Sequence, residues 1–269
     1  MKTGKTRADN RAAMESEIAR LGREHLRTHG AGGLSLRAIA RDLGVVSSAV
    51  YRYVPSRDEL LTLLLVQGYS DLADSVDDAA DYAADEPLDS DTDRIGGDRI
   101  GGDRGGGDRG DGPEPAGDSR VPSRERLRRM ALAMRAWAIA DPARWALLYG
   151  SPVPGYAAPA ERTVGPGTRV IARLLTEFDA AWRRGELREG APATVDAGAQ
   201  LTADFDAVRR EFGSALPDSV MVGAITLWAT MIGGISLEVF GQYGADTFAR
   251  PDVLFAAQID AVLSTLFVG

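Results

Sequence analysis

Cysteine is absent from the 269 residues, and histidine occurs only at His25 and His29. The first absence excludes a disulfide framework. Together they leave neither a Cys/His zinc site nor a Ser-His-Asp arrangement much to be built from. The two histidines stand one helical turn apart, but no carboxylate lies between them and no third ligand is in view. They read as a surface pair near a helix C-terminus, where imidazolium suits the dipole. No metal and no cofactor are expected. The chain also lacks a nucleophile-base pair and a phosphate loop, so an enzyme is not expected. Its N-terminus, MKTGKTRADNR, is basic but runs into an amphipathic pattern instead of an apolar core. No signal peptide is expected, and the cytoplasm is the default compartment.

Uncharged apolar runs are scarce, with one exception. Ser219 to Leu237, SVMVGAITLWATMIGGISL, has no charge over 19 residues and meets the length criterion for a membrane span. Ser219, Thr226, Thr230 and Ser236 interrupt its apolarity, Asp218 and Glu238 bound it, and no basic cluster orients it. A buried helix is the expectation, with no membrane partner.

What is present is enough apolar material, 44%, to bury a sizeable core. The net charge of −8 is unevenly placed. Residues 1–60 carry 11 Lys/Arg against 7 Asp/Glu, residues 61–118 carry 4 against 16, and residues 119–269 carry 16 of each. The acidity is therefore local, and the first sixty residues keep a positive balance that can meet phosphate.

Residues 85–122 contain DRIGGDRIGGDRGGGDRGDG, a five-residue repeat flanked by Pro87, Pro113, Pro115 and Pro122. A calcium-binding glycine repeat needs a nonapeptide period. This segment, with almost no large apolar side chain, reads instead as a disordered acidic linker between two folded parts.

Elsewhere the apolar spacing is helical, and the fold class is all-α. Ile18, Leu21 and Leu26 make one face of a first helix ending at Gly30. Ser35 caps a second, Leu36 to Leu43, stopped by Gly44. Ser47 or Ser48 caps a third that Pro55 terminates. Ser56 to Glu59, SRDE, is a capping box opening a fourth, which runs to about Ala84. After the linker come a helix from SRERLRRMALAMRAWAIAD, a short DPARWALLYG segment, a Pro-rich loop SPVPGYAAPAERTVGPG, and helices near 167–185, 193–213, 217–243 and 252–267. Pro251 suits the first turn of the last. The expected units are 1–55, 56–84 as connecting helix, 85–122 as linker, and 123–269 as a helical second domain.

A helix, a Gly-containing turn and a second, two-turn helix make a helix-turn-helix, whose second member is short enough for a major groove. LSLRAIARDLGV, then SSAVYRYV, then SRDELL, spanning Leu34 to Leu61, resembles the N-terminal domain of the TetR family of transcriptional regulators over about residues 11–65. Ile39, Leu43, Val45, Val50 and Val54 are the apolar contacts that lock the third helix down. The resemblance implies that Tyr51 bonds a backbone phosphate and that Arg37 reaches a base or phosphate. Ser47, Ser48 and Ala49 form the groove-facing start; serine bonds base edges, and a small alanine touches a thymine methyl. Arg57 stands where the family usually has lysine, at a helix N-terminus that favours phosphate. Arg52 and Tyr53 add further phosphate donors, and Lys2, Lys5, Arg7 and Arg11 form a basic arm. The sequence Tyr51-Arg52-Tyr53-Val54 departs from the family's usual aromatic-histidine-phenylalanine ending, so no operator sequence can be carried over.

The segment RMALAMRAWAIADPARWALLYGSPVPGY resembles the ligand-binding domain of a subset of these regulators. Trp145, Tyr149 and Trp228 are the candidates for an apolar effector pocket. Ala224, Gly233, Gly234, Phe255, Ile259 and Val262, on the last two helices, are the candidates for a two-fold four-helix interface, as the resemblance also implies. The expected function is that of a ligand-responsive, sequence-specific regulator, most often a repressor in this family. It binds a palindromic double-stranded DNA operator as a homodimer and answers to an unidentified small-molecule effector. The alternative is a helical protein-interaction module whose helix-turn-helix makes no specific DNA contact.

Overall fold

The computed structural model describes residues 7–82, 121–188 and 198–268. Among them are ten α-helices: α1 (Arg7–His29), α2 (Leu36–Asp42), α3 (Ser47–Tyr51), α4 (Arg57–Asp81), α5 (Ser123–Ala140), α6 (Pro142–Tyr149), α7 (Ala160–Arg184), α8 (Gly198–Phe212), α9 (Asp218–Val239) and α10 (Pro251–Leu266). The only β pairing among these residues is an isolated antiparallel bridge, Leu187 with Phe267, so the all-α expectation holds. The repeat DRIGGDRIGGDRGGGDRGDG lies outside the described residues.

Two apolar cores share α4. The smaller gathers Ile18, Leu26, Leu36, Ile39, Val50 and Val54 against Leu60, Leu61 and Leu64 of the first half of α4. The larger gathers Leu72 and Val76 of its second half with side chains from α5 to α10, including Met130, Trp145, Phe178, Met231 and Phe255. A 25-residue helix is about 37 Å long, enough to belong to both bodies without a break. Along its second half an ion-pair ladder fastens it to α6 and α7: Arg144 with Asp71, Arg169 with Asp74 and Asp77, and Arg173 with Asp81.

Local signals set most helix ends. Gly30 and Gly44 adopt φ of 66° and 67°, the left-handed geometry that stops α1 and α2. Ser35 Oγ accepts from the Ala38 amide at 3.4 Å, as its position predicts. Ser56 Oγ accepts from the Glu59 amide at 3.0 Å. The Glu59 carboxylate, however, accepts from Arg162 Nη1 at 2.7 and 2.8 Å, so a contact distant in sequence takes the far half of the expected capping box.

Several expectations need correction. The N-cap of α3 is Val46, which has no side-chain acceptor, and Ser47 is already helical. Helix α4 ends at Asp81, because Tyr82 leaves helical geometry at ψ 108°. The loop expected up to residue 167 is helical from Ala160 onward, with Pro166 inside α7. Neighbouring Gly167 faces the Tyr69 ring of α4, where an added Cβ would make an ordinary van der Waals contact at 3.5 Å. His25 is not a surface residue: it is buried, with Nε2 2.6 Å from Asp42 Oδ2, and ties α1 to the end of α2. Its ring centroid is 5.7 Å from that of exposed His29.

Candidate nucleic-acid interface

The third helix is anchored from below. Val50 and Val54 are fully buried against Ile39, Leu36 and the first leucines of α4, and the Val45 amide donates to the Ala40 carbonyl across the turn at 3.0 Å. With one side of α3 fixed in this way, its other side is set toward solvent by the 100° step of the helix. Ser48, Tyr51 and Arg52 are exposed there, and Ser47, Ala49 and Tyr53 are half-buried. Arg37, on the first turn of α2, is exposed as well. The phenol of Tyr51 and the hydroxyl of Ser48 are therefore both reachable from outside the molecule.

Flanking groups are partly engaged. Arg57 is half-buried; its Nη2 donates to the Ala31 carbonyl at 2.9 Å, and Nη1 lies 3.8 Å from Asp58. This guanidinium thus also braces the turn between α1 and α2. Of the basic arm Lys2, Lys5, Arg7 and Arg11, only the Arg11 side chain is described. It pairs with Glu15 at 2.8 Å and sits 5.8 Å from the centre of the Tyr53 ring. Among the described residues the most exposed large apolar side chain is Val46, 70% exposed at the head of α3, which the sequence reading did not single out. Its position after the Gly44 turn, between inward Val45 and the recognition segment, was the available signal.

The C-terminal half touches this unit through α6 and the segment that follows it. Leu147, Val153 and Tyr156 pack on the smaller core. The Tyr156 hydroxyl is 2.9 Å from buried Thr62 Oγ1 on α4, and Arg27 Nη2 donates to Asp141 Oδ2, the cap of α6, at 2.8 Å.

The expected effector residues form one aromatic cluster. The ring centroids of Trp145 and Tyr149 are 4.4 Å apart, and Tyr149 meets Trp228 edge-on at 6.3 Å and Tyr69 at 6.2 Å. Trp145 is fully buried, and its Nε1 donates to Ser236 Oγ at 3.2 Å. Burial pushes the Tyr149 phenol well above its ordinary pKa, and its hydroxyl has no hydrogen-bond partner.

The interface candidates divide. Ala224, Phe255 and Ile259 are buried inside the protomer, where α9 packs on α10. Gly234 is also covered from within, since a Cβ there would come 3.0 Å from the Phe255 ring. A close approach was expected at Gly234, but the helix that makes it is this chain's own α10. Gly233 has open space beside it, and Val262 is half-buried. The outer side of α9 instead exposes Ile225 (44%) and Leu237 (37%) with Thr226 and Ala229 between them. Helix α9 is long and apolar enough to cross a membrane, but its inner side is core, with Met221, Leu227, Met231 and Ile235 enclosed. The buried helix expected here is thus buried on one side and uncovered on the other within the protomer. No group of three or more potential metal ligands occurs among the described residues.

Residues 18–64 match the description "Bacterial regulatory proteins, tetR family", and residues 127–262 match "Tetracyclin repressor-like, C-terminal domain". The chain is 46% identical over 261 residues to the HTH-type transcriptional regulator Rv1816 of Mycobacterium tuberculosis (strain ATCC 25618 / H37Rv), covering 97% of this chain and 95% of that one. The same figures hold for the HTH-type transcriptional regulator Mb1846 of Mycobacterium bovis. Among solved structures, SCO4313 superposes with a TM-score of 0.67 at 28% identity over 96% of this chain and 99% of its own. A protein from Rhodococcus sp. RHA1 does so with a TM-score of 0.61 at 19% identity, covering 95% and 96%, a likeness of fold alone.

Proposed function

From the premise that this chain belongs to the TetR family of DNA-binding transcriptional regulators, we propose that it is a homodimeric, effector-responsive regulator gripping a palindromic operator with two copies of α3. The observation that carries the reading is that Ser48 and Tyr51 of α3 and the following Arg52 are exposed while Val50 on its other side is fully buried, with Arg37 exposed on the preceding helix. Hydroxyls and guanidinium groups are the donors that phosphates and base edges accept, and a helix this short reads few bases alone. Two copies spaced by one or more turns of DNA, about 34 Å each, multiply the specificity.

In this reading residues 1–55 are the DNA-binding unit, 56–84 the connecting helix, and 123–269 the effector and dimerisation unit. Arg37, Ser47, Ser48 and Ala49 face bases, while Tyr51, Arg52, Tyr53 and Arg57 hold the backbone. Exposed Ile225 and Leu237 support a two-fold contact through the outer side of α9, with Gly233 allowing close approach and Val262 at its edge. An effector that prefers one arrangement of the C-terminal half shifts the equilibrium through α4, which is fastened to that half by its ion-pair ladder. Repression follows if the effector-free arrangement is the one with α3 helices at operator spacing.

Selection of bound fragments from random duplex DNA tests this directly. A recovered motif with two inverted half-sites, lost on Arg37→Ala, is the expected result. Recovery of no motif, with only salt-sensitive binding to every sequence, sinks the reading and favours a protein-interaction module.

A further inference from the structure

Helices α2 and α4 each begin on a serine whose hydroxyl accepts an amide of the first turn, Ser35 from Ala38 and Ser56 from Glu59. Helix α3, between them, begins on Val46, which has no acceptor to offer. A serine or threonine in that place would satisfy an amide that valine leaves to solvent. Valine also holds an isopropyl group in water, 70% exposed. The core does not call for it, because the turn is fixed one residue earlier: Val45 packs on the smaller core, and its amide donates to the Ala40 carbonyl at 3.0 Å. Among the described residues of the DNA-binding unit the other exposed large apolar side chain is Tyr51, and that one carries a hydroxyl. Val46 therefore departs from the local rules twice, in cap and in solubility, with no return inside the protomer. Such a departure at a binding surface points to a gain made outside it.

The place of Val46 narrows what that gain can be. It precedes Ser47, Ser48 and Ala49, the first turn of a helix whose N-terminal residues are those that reach base edges when such a helix enters a major groove. These three are small or hydroxylated, so the isopropyl is the bulkiest apolar group at that end of α3. It neither donates nor accepts a hydrogen bond, so phosphates and the nitrogen and oxygen atoms of base edges offer it nothing. The apolar group that a major groove does present is the C5-methyl of thymine. A β-branched side chain is stiff at χ1 and loses little freedom on meeting a fixed methyl.

We propose that Val46 is a specificity-determining residue that seats its isopropyl on the C5-methyl of a thymine in each operator half-site. The inference rests on the reading of α3 as the DNA-binding helix, and adds to it a base and a residue outside Ser47, Ser48 and Ala49.

The test uses the full chain and the operator recovered by selection from random duplex DNA. Each thymine of the half-site is replaced in turn by deoxyuridine, in both half-sites together, which removes the methyl and keeps every hydrogen-bonding atom. At one thymine the replacement weakens the unsubstituted chain about fourfold per half-site, about 16-fold in the palindrome, as expected for one buried methyl. Val46→Ala weakens the thymine operator at least as much and no longer distinguishes thymine from deoxyuridine there, a coupling read from the double-mutant cycle. Val46→Ser loses the distinction too, while the cap it supplies to α3 holds or raises the thermal midpoint, which separates lost contact from lost folding. Val46→Ile keeps the distinction. Equal weakening of the unsubstituted chain and of Val46→Ala by deoxyuridine at every thymine overturns the proposal, and so does a half-site that contains no thymine. Both of those results leave the regulator reading in place, whereas recovery of no motif at all overturns the two together.

Discussion

Helices α3 and α9 each present one side that the protomer does not cover, and the two sides differ in kind. The five residues of α3 turn Ser48 and Tyr51 outward with neighbouring Arg52 and Arg37, groups that are stable in water and bond phosphate or base edges when water is displaced. The 22 residues of α9 turn out Ile225, Ala229 and Leu237, groups that gain only by leaving water. Both helices are equally well anchored, by Val50 in one case and by Leu227, Met231 and Ile235 in the other. Anchoring therefore says nothing about the partner; the chemistry of the uncovered side does. In the proposed reading the polar face meets a charged duplex and the apolar face meets a second copy of the chain.

The contrast can be broken most severely at α9. Ile225→Asp combined with Leu237→Asp places four charges in a two-fold contact and removes four apolar side chains from it. The dimer dissociation constant is expected to rise at least about 1000-fold, read by sedimentation equilibrium. An unchanged dimer would assign the outer side of α9 to something else. At α3 the expected effect is smaller. Arg37→Ala costs about 1–3 kcal/mol at the preferred operator and relaxes selectivity at particular base pairs, while leaving the oligomer intact. A competition assay between operator variants reads it.

Between the two helices lies the aromatic cluster, where Tyr149 buries a hydroxyl without a partner. Tyr149→Phe removes that polar atom, so the thermal midpoint should stay level or rise, with a gain of up to about 1 kcal/mol. A loss of stability would mean that the hydroxyl finds a partner in solution. The smallest effect concerns the α4–α7 ladder. The Arg173 guanidinium beside Asp81 holds its carboxyl below the ordinary value of 3.8. A carboxyl lowered by folding contributes stability above that ordinary value and loses it as pH falls through the lowered one. Asp81→Asn should therefore flatten the acid limb of a stability profile below about pH 4, with little change in slope near neutrality. Because Asp81 is exposed, the effect is also weakened by salt.

The first sixty-odd residues were legible because their signals are local. A capping serine acts three residues away, a glycine stops a helix where it stands, and the alternation of Val50 and Val54 with Ser48, Tyr51 and Arg52 separates a buried side from an exposed one within one turn. Longer-range decisions were not legible. Nothing in the spacing of His25 indicates that Asp42 lies 2.6 Å away, or that Glu59 leaves its capping box for Arg162. Helix α7 was expected to start after Pro166, since a proline removes a donor and usually breaks a helix. The helix nevertheless runs from Ala160 through Pro166, with Gly167 facing the Tyr69 ring of α4.

By itself the sequence determined the helical class, the helix-turn-helix and the identity of the side chains α3 turns outward, because each depends on neighbours within a turn or two of the chain. Only the tertiary structure decided which side of α9 remains uncovered, since Ala224, Phe255 and Ile259 are as apolar as Ile225 and Leu237. Composition cannot tell an apolar residue that faces its own chain from one that waits for another. That distinction is made when α10 folds back over one side of α9 and leaves the other open.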